Sequence, residues 1–420
     1  MKIPGKKRTA HCIAVALAGS AALSTSSIVS ANTGLGSSTL DTGEVTAFDN
    51  GREPITFRVP AGDTQVTLSG YVKADFISDS GSDLGDSFGA SGIPVDGAEG
   101  DGNFRIHARQ TRFRIKSESD LASGKKIKTL LEGDFFGGGA NEIVSNSSSF
   151  RLRHAYLEVG GWGFGQFWTN FMDFIAYPTT VDFFGPAGKA FIRAGQIRYT
   201  FKNGFSISAE NPETTGGGPG LGDGDAIPES LGGIGLDRIP DFTIAWKGGP
   251  GGAGGTYKFA AVARTLGVDG TLGVAGDVDD DVGGFGFNAA GAWDFGFGAL
   301  SGSVTGGSGL GRYVLAGVNN DIFVDENGNV EAVDQISASI SYVHRWSDSA
   351  TSLVSYGFFD NDDDFAANGN GTVQTLHVNY IWKPNPRLNY GAEVIFGNNE
   401  PAAGGEGDAV RLHFGAQLNF

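Results

Sequence analysis

Sulfur is nearly missing from this chain, which has one cysteine and two methionines in 420 residues. The cysteine, Cys12, lies in an opening segment that starts with the basic residues Lys2, Lys6, Lys7 and Arg8. An apolar stretch from Ile13 to Leu23 follows, and a small-residue site at Val29-Ser30-Ala31 closes it. That order is the order of a secretory signal peptide, so Met1–Ala31 is expected to be removed on export. Cys12 lacks the small-residue context of a lipid-modified cysteine. The processed chain then holds no thiol, which excludes disulfides, cysteine-ligated zinc and cysteine nucleophiles.

Long apolar runs are missing as well. Beyond residue 31 no stretch approaches the roughly 18 uninterrupted apolar residues that a spanning helix requires. A membrane form of the chain therefore has to be a closed barrel, since only closure satisfies the strand backbone in lipid. The rival class is a soluble, glycine-rich β protein. Positive charge is scarce too: four of 30 basic residues leave with the leader while all 47 acids stay, and 26 minus 47 leaves −21. Such a chain repels nucleic acid. What is plentiful is glycine, at 69 residues, and aromatic side chains, at 11 %, a balance that favours strands and turns over helices. No composition break or linker follows residue 64, so one architecture is expected over 64–420. Residues 32–63 read as an N-terminal periplasmic segment, and Gly34, Gly36, Gly43, Gly51 and Pro54 with no heptads rule out a coiled coil there.

The C-terminal segment states the local pattern. Val410, Leu412, Phe414, Ala416, Leu418 and Phe420 alternate with Arg411, His413, Gly415, Gln417 and Asn419. A period of two puts the apolar set on one face and the polar set on the other, as lipid outside and water inside would require. Val66, Leu68, Gly70, Val72, Ala74 and Phe76 repeat the pattern against Gln65, Thr67, Ser69, Tyr71, Lys73 and Asp75. Sixteen such runs are read, at about 64–78, 103–118, 125–136, 148–160, 163–168, 191–202, 204–211, 239–248, 255–266, 283–295, 298–306, 333–346, 350–360, 371–383, 387–397 and 408–420. Their connections alternate short and long. The short ones include Ala122-Ser123-Gly124, Lys202-Asn203-Gly204 and Pro384-Asn385-Pro386, whereas long ones fall near 79–102, 137–147, 169–190, 211–238, 267–282, 306–332, 360–371 and 398–408. This rhythm predicts an all-β fold, a transmembrane up-and-down antiparallel β-barrel of 16 strands with short periplasmic turns and long external loops. Tyr380, Trp382 and Trp346 beside short turns fit an interfacial girdle, and equally fit plain β-propensity.

Charge placement is uneven: 14 of the 26 basic residues that remain lie between Arg105 and Lys202. On the lipid face each would cost about 2–4 kcal/mol near the midplane, so parity places Arg112, Arg114 and Lys116 in the lumen on the second strand. It does the same for Lys126 and Lys128 on the third, Arg151 and Arg153 on the fourth, and Arg198 on the sixth. Arg105, His107 and Arg109 have the other parity, which predicts a β-bulge near Arg109-Gln110. One wall of the lumen is thus expected to carry a cation ladder, unless Glu132 and Asp134 neutralise it as a salt-bridge network. The segment 169–190 is rich in phenylalanine and proline and is expected to fold into the lumen as a constriction loop, setting Asp173 and Asp182 against the ladder, with Arg193 at its end. Transverse charge of this kind sorts solutes by sign.

The other long loops are acidic, in runs such as Asp277–Asp281 and Asp360–Asp364. They read as solvated loops, or as holders of divalent cations that bridge lipopolysaccharide. No EF-hand spacing occurs, and Gly232–Ile239 matches a calcium β-roll repeat only once, with no second copy to stack on. No metal and no cofactor are expected. The histidines beyond the leader, His107, His154, His344, His377 and His413, are scattered over different strands with no catalytic constellation, which argues against an enzyme. Passive diffusion of small hydrophilic solutes is the function these features predict. Weak selectivity, or a surface adhesin or receptor role for the acidic loops, stays open.

Several stretches then carry a family resemblance: Gly70-Tyr71-Val72-Lys73-Ala74-Asp75, Arg109-Gln110-Thr111-Arg112-Phe113, Glu132-Gly133-Asp134-Phe135-Phe136, Arg151-Leu152-Arg153-His154-Ala155-Tyr156, Gly165–Phe171 and Thr180–Gly188. Dense over about 64–205 and thin beyond, they resemble the DcaP-type family of trimeric outer-membrane porins. Members of that family are sixteen-stranded trimers that pass small negatively charged molecules, dicarboxylates among them. The resemblance therefore implies a homotrimer in the outer membrane of a Gram-negative-type bacterium and a pore preferring small organic anions. Family members can carry an N-terminal coiled coil; without one here, a trimer would be held by the barrel walls alone. A terminal phenylalanine such as Phe420 also resembles the signal that the barrel-assembly machinery reads.

Overall fold

Alternation along each strand decides which face meets lipid, and sixteen strands follow it in the computed structural model. The structure describes residues 55–58, 64–96, 100–138, 142–172, 174–218, 235–272, 276–315, 320–361, 370–401 and 404–420. The expected leader and most of 32–63 lie outside them. The strands are β1 (Gln65–Asp79), β2 in two segments (Asn103–His107 and Arg112–Asp120), β3 (Lys126–Gly137), β4 (Ser149–Val159) and β5 (Trp162–Trp168). They continue as β6 (Arg193–Thr200), β7 (Phe205–Glu210), β8 (Asp241–Gly248), β9 (Thr256–Leu272), β10 (Gly276–Asp294) and β11 (Gly298–Ser308). The last five are β12 (Asp334–Ser347), β13 (Ala350–Asn361), β14 (Asn370–Asn385), β15 (Leu388–Pro401) and β16 (Gly407–Asn419). Each pairs antiparallel with the next, and β16 returns to β1 from Tyr71↔Asn419 to Asp79↔Arg411. The sheet is closed. A short extra strand, Ile55–Arg58, extends the periplasmic end by pairing with Gln65–Leu68 of β1.

Facing follows composition. On β1, Tyr71, Lys73, Asp75 and Asp79 point inward and are buried, whereas Val72 and Phe76 are exposed to the lipid side. On β12, Ser337, Ser339 and Ser341 are inward and Ile336 and Ile340 outward. Trp346, Tyr380 and Trp382 are exposed where their strands approach short turns, as a girdle requires.

Bulges interrupt the ladder next to the charged wall, and two of them re-aim its charges. Asp75 and Tyr71 of β1 pair with His107 and Arg112 of β2, so four steps on one strand face five on the other. This is the irregularity that the phase change near Arg109-Gln110 predicts. The second was not expected: Glu132 pairs with His154 but Gly133 with Leu152, leaving Arg153 as an extra residue on β4.

One stretch read as loop is strand. Residues 267–272 and 276–282 continue β9 and β10 as paired antiparallel strands, with Val268↔Asp280 and Thr271↔Asp277 in register. Apolar alternation persists through Val268 and Val278, whose side chains pack with Leu266, Leu272, Ile322, Val324 and Val330. The acid-rich composition masks that alternation.

Candidate functional site

Because β2, β3 and β4 are neighbours, their inward residues meet. Register sets Arg112 opposite Asp134, Arg114 opposite Glu132 and Glu118 opposite Lys128. Arg114 donates to Glu132 Oε2 at 2.6 Å, and Arg112 lies 3.7 Å from Glu132 Oε1. From β4, Arg151 grips Asp134 with two hydrogen bonds of 2.9 and 2.8 Å. Arg153 joins both acids, at 2.8 Å to Glu132 and 3.0 Å to Asp134. The bulge explains this reach. By adding one residue it turns both Arg153 and His154 inward, and each is buried. His154 escaped the parity reading for that reason.

The wall thus carries a cluster of four guanidiniums sharing two carboxylates, the arrangement with Glu132 and Asp134 that the sequence left open beside an unpaired ladder. Arg112 and Arg153 are buried within it. Arg114 and Arg151 keep 23 % and 31 % of their side chains accessible. Lys116 is exposed on the same face and Lys128 half-buried between Glu118 and Glu158, both nearer the periplasmic end. Arg198 stands apart from this cluster. It donates to the Trp168 carbonyl at 2.5 Å and to Gln196 Oε1, over the Phe167 ring. Arg193 lies over Trp168, 4.5 Å from the ring centre.

The segment after β5 crosses the lumen, as its phenylalanines and prolines predict. Asn170 donates its N–H to Glu210 on β7, and Lys258 on β9 reaches the Met172 carbonyl. On the far wall Asn379 of β14 donates to the Thr179 carbonyl, and the Ala187 N–H donates to Thr375. The return limb pairs Lys189-Ala190 with Val314-Leu315 before entering β6. Phe183 lies beneath the cation cluster, with Arg151 and Arg153 5.5 and 5.4 Å from its ring centre. Asp182 does not face the arginines of β2 and β4, contrary to expectation. It is buried against β16, 3.5 Å from Arg411 and 3.7 Å from His413. Alternating side chains on the loop separate the two: Phe183 takes the cation side, Asp182 the other. Asp173 lies outside the described residues.

Charges that parity did not single out line the closure seam. Arg411 on β16 makes a two-pronged bond to Asp79 on β1, at 2.6 and 2.8 Å. His413 pairs with Asp75 at 2.9 Å, and Lys73 with Asp75 at 2.9 Å. Near the outer mouth, Asp86 takes Arg105 and Arg109. Burial pushes the Asp86 carboxyl up, but the hydrogen bonds from those two arginines outweigh it and leave it below the ordinary range. Strand alternation already contained the seam pairs, yet only strand order tells which of them touch. Among the described residues no group of histidine, cysteine or acidic side chains has the arrangement of a metal site.

A charge-lined lumen crossed by an inward loop, inside a closed sixteen-strand barrel, is the architecture of a passage for solutes in water. The family model described as the porin subfamily matches residues 56–390. Curated proteins yield no match in sequence. Among solved structures, the outer membrane channel DcaP of Acinetobacter baumannii is 24 % identical, with a TM-score of 0.74 over 87 % of this chain and 99 % of that one. An anion-selective porin from Comamonas acidovorans is 15 % identical, with a TM-score of 0.53 over 85 % of this chain and all of that one (100 %). Salmonella typhi OmpF in complex with daunomycin is 13 % identical, with a TM-score of 0.51 over 87 % of this chain and 100 % of that one. The chain belongs to the porin subfamily, and it is an outer-membrane channel for diffusion.

Proposed function

We propose that the channel prefers small organic anions, dicarboxylates among them, over cations of similar size. The observation that carries this reading is the wall cluster: four arginines share two carboxylates, which leaves two positive charges in excess. Arg114 and Arg151 hold part of that excess at accessible side chains, and in a narrow low-dielectric passage such fixed charge raises the local concentration of counter-ions. A weakly selective pore is the second reading, favoured by the pairing itself and by the acidic mouth. The same proposal takes the mature protein to be exported through its leader and to assemble as a homotrimer against lipid and lipopolysaccharide. Support for wall-to-wall assembly comes from an aromatic row on the lipid face that starts at the seam, where Phe420, Phe113, Phe135 and Phe150 follow one another with successive ring centres 5.9, 6.1 and 5.7 Å apart.

The test is the reversal potential of single channels in a potassium chloride gradient. Wild type should favour chloride, and Arg114→Gln with Arg151→Gln should move the potential towards zero while the barrel stays closed. A potential that begins near zero, or one of cation sign that the substitutions leave unmoved, would favour the unselective reading.

A further inference from the structure

The tip of the inward loop, residues 179–185, is held to the far wall by carboxylates that receive its main-chain N–H groups. Alternation along β15 turns Glu393 inward, where it is 3 % exposed. One of its oxygens accepts from the Val181 N–H at 2.7 Å and from Asn379 at 2.9 Å. The other accepts from the Asp182 N–H at 3.3 Å and pairs with His377 Nδ1 at 3.0 Å. Asp182 then folds the tip on itself, accepting from the N–H groups of Phe184 at 2.9 Å and Gly185 at 3.4 Å, and it pins the first external loop through Phe88 N–H at 3.0 Å. Lys73 completes the hold from β1 by donating to the Val181 carbonyl at 2.7 Å. The Val181 side chain is fully buried in a notch left by Gly391 and Gly415, where a Cβ would come within 2.5 and 3.0 Å of it.

We propose that Glu393, with Asp182, positions the constriction loop and so sets the aperture of the channel. This rests on the chain being a diffusion channel, and adds which residues fix the width of the passage. A buried carboxylate that already accepts four hydrogen bonds is costly to strip of them, so the tip stays on the wall. The charged groups around it come from every neighbouring element. They are His377 on β14, Arg411 and His413 on β16, Lys73, Asp75 and Asp79 on β1, and His107 on β2. The loop itself adds Lys189, whose amine donates to the Phe184 carbonyl.

Acid should loosen this clamp. Burial pushes the Asp182 carboxyl up, but the His413 imidazole 3.7 Å away and the Arg411 charge outweigh it and hold it well below its ordinary value of 3.8. A group depressed in the clamped state contributes its hold above 3.8 and loses it as pH falls further, through the clamped-state value.

The experiment records single-channel current from the full chain in planar bilayers, from neutral pH to below 3.8. Wild type should give one steady level at neutral pH and a fluctuating current in acid. Glu393→Gln puts an amide donor where an acceptor is needed, and its current should fluctuate already at neutral pH. A tether keeps the test sharp if that variant fails to close. Val181→Cys with Gly391→Cys sets two Cβ atoms near the roughly 3.8 Å of a disulfide, and no other thiol follows Cys12. Oxidised, this pair should abolish the acid fluctuation, and reductant should restore it. A steady neutral current in closed Glu393→Gln, or acid fluctuation that survives the tether, overturns the clamp. A closed wild-type barrel that passes no ions overturns instead the channel reading beneath it.

Discussion

Glu132 is buried on β3 with three guanidiniums within 3.7 Å of its carboxylate. Taking such a group out of water costs several kcal/mol, and hydrogen-bonded partners offset it only while all are present. Arg153 is the partner with most at stake, because it is 1 % exposed and bonds both Glu132 and Asp134. Arg153→Ala should therefore destabilise the barrel by about 3–5 kcal/mol, seen as a lower temperature of heat-modifiable migration. Glu132→Gln combined with Arg153→Gln should recover much of that loss, since neither charge is then orphaned. Arg114→Gln, at an accessible position, should shift stability far less. Equal losses from Arg153→Ala and Arg114→Gln would mean that burial does not divide the cluster into structural and water-facing members.

Strands here do more than span. A membrane-crossing strand needs about 9–11 residues, yet β9 has 17 and β10 has 19. Their outer ends form a hairpin whose apolar side packs on the small hairpin of Ile322–Val324 and Val330–Ala332. Val268 is fully buried in that contact. Val268→Asp should forfeit roughly 1.5–3 kcal/mol of local burial and open the 320–332 segment to protease while the barrel remains heat-modifiable. Unchanged cleavage would show that the hairpin is held by its ion pairs and hydrogen bonds, such as Val330 N–H to Asp280, rather than by this core.

Closure is a property of the whole chain, made where its first and last strands meet. Phe420 and Gly70 exchange backbone hydrogen bonds of 3.0 and 3.1 Å, and Asp79 with Arg411 ties the other end of the seam. Gly70 has φ 157°, and a Cβ there would lie 2.2 Å from the Arg112 carbonyl oxygen and 2.9 Å from the Phe420 ring. That oxygen is backbone and cannot rotate away. Gly70→Val should cost at least about 1–3 kcal/mol in backbone strain alone and reduce the yield of closed barrel on refolding into detergent. Wild-type yield would mean that β1 shifts register without loss, which the inward and outward sets of β1 forbid.

Strand facing, the bulge at Arg109-Gln110 and the inward loop were legible in the sequence because each is a local pattern: a period of two, a change of phase, a run of phenylalanine and proline. The number of strands and the alternation of short and long connections were legible for the same reason. What the tertiary structure decided is which inward charges meet. Parity says that Arg112, Arg151 and Glu393 face the lumen, but not that Arg112 neighbours Glu132 or that Glu393 receives the backbone of a loop more than 200 residues away in sequence. The Arg153 bulge shows why, since one added residue in a strand changes which side chains point inward without leaving a mark in the hydrophobic pattern. Charge sign along the wall belongs to the sequence; charge pairing belongs to the register, and only closing the sheet sets the register.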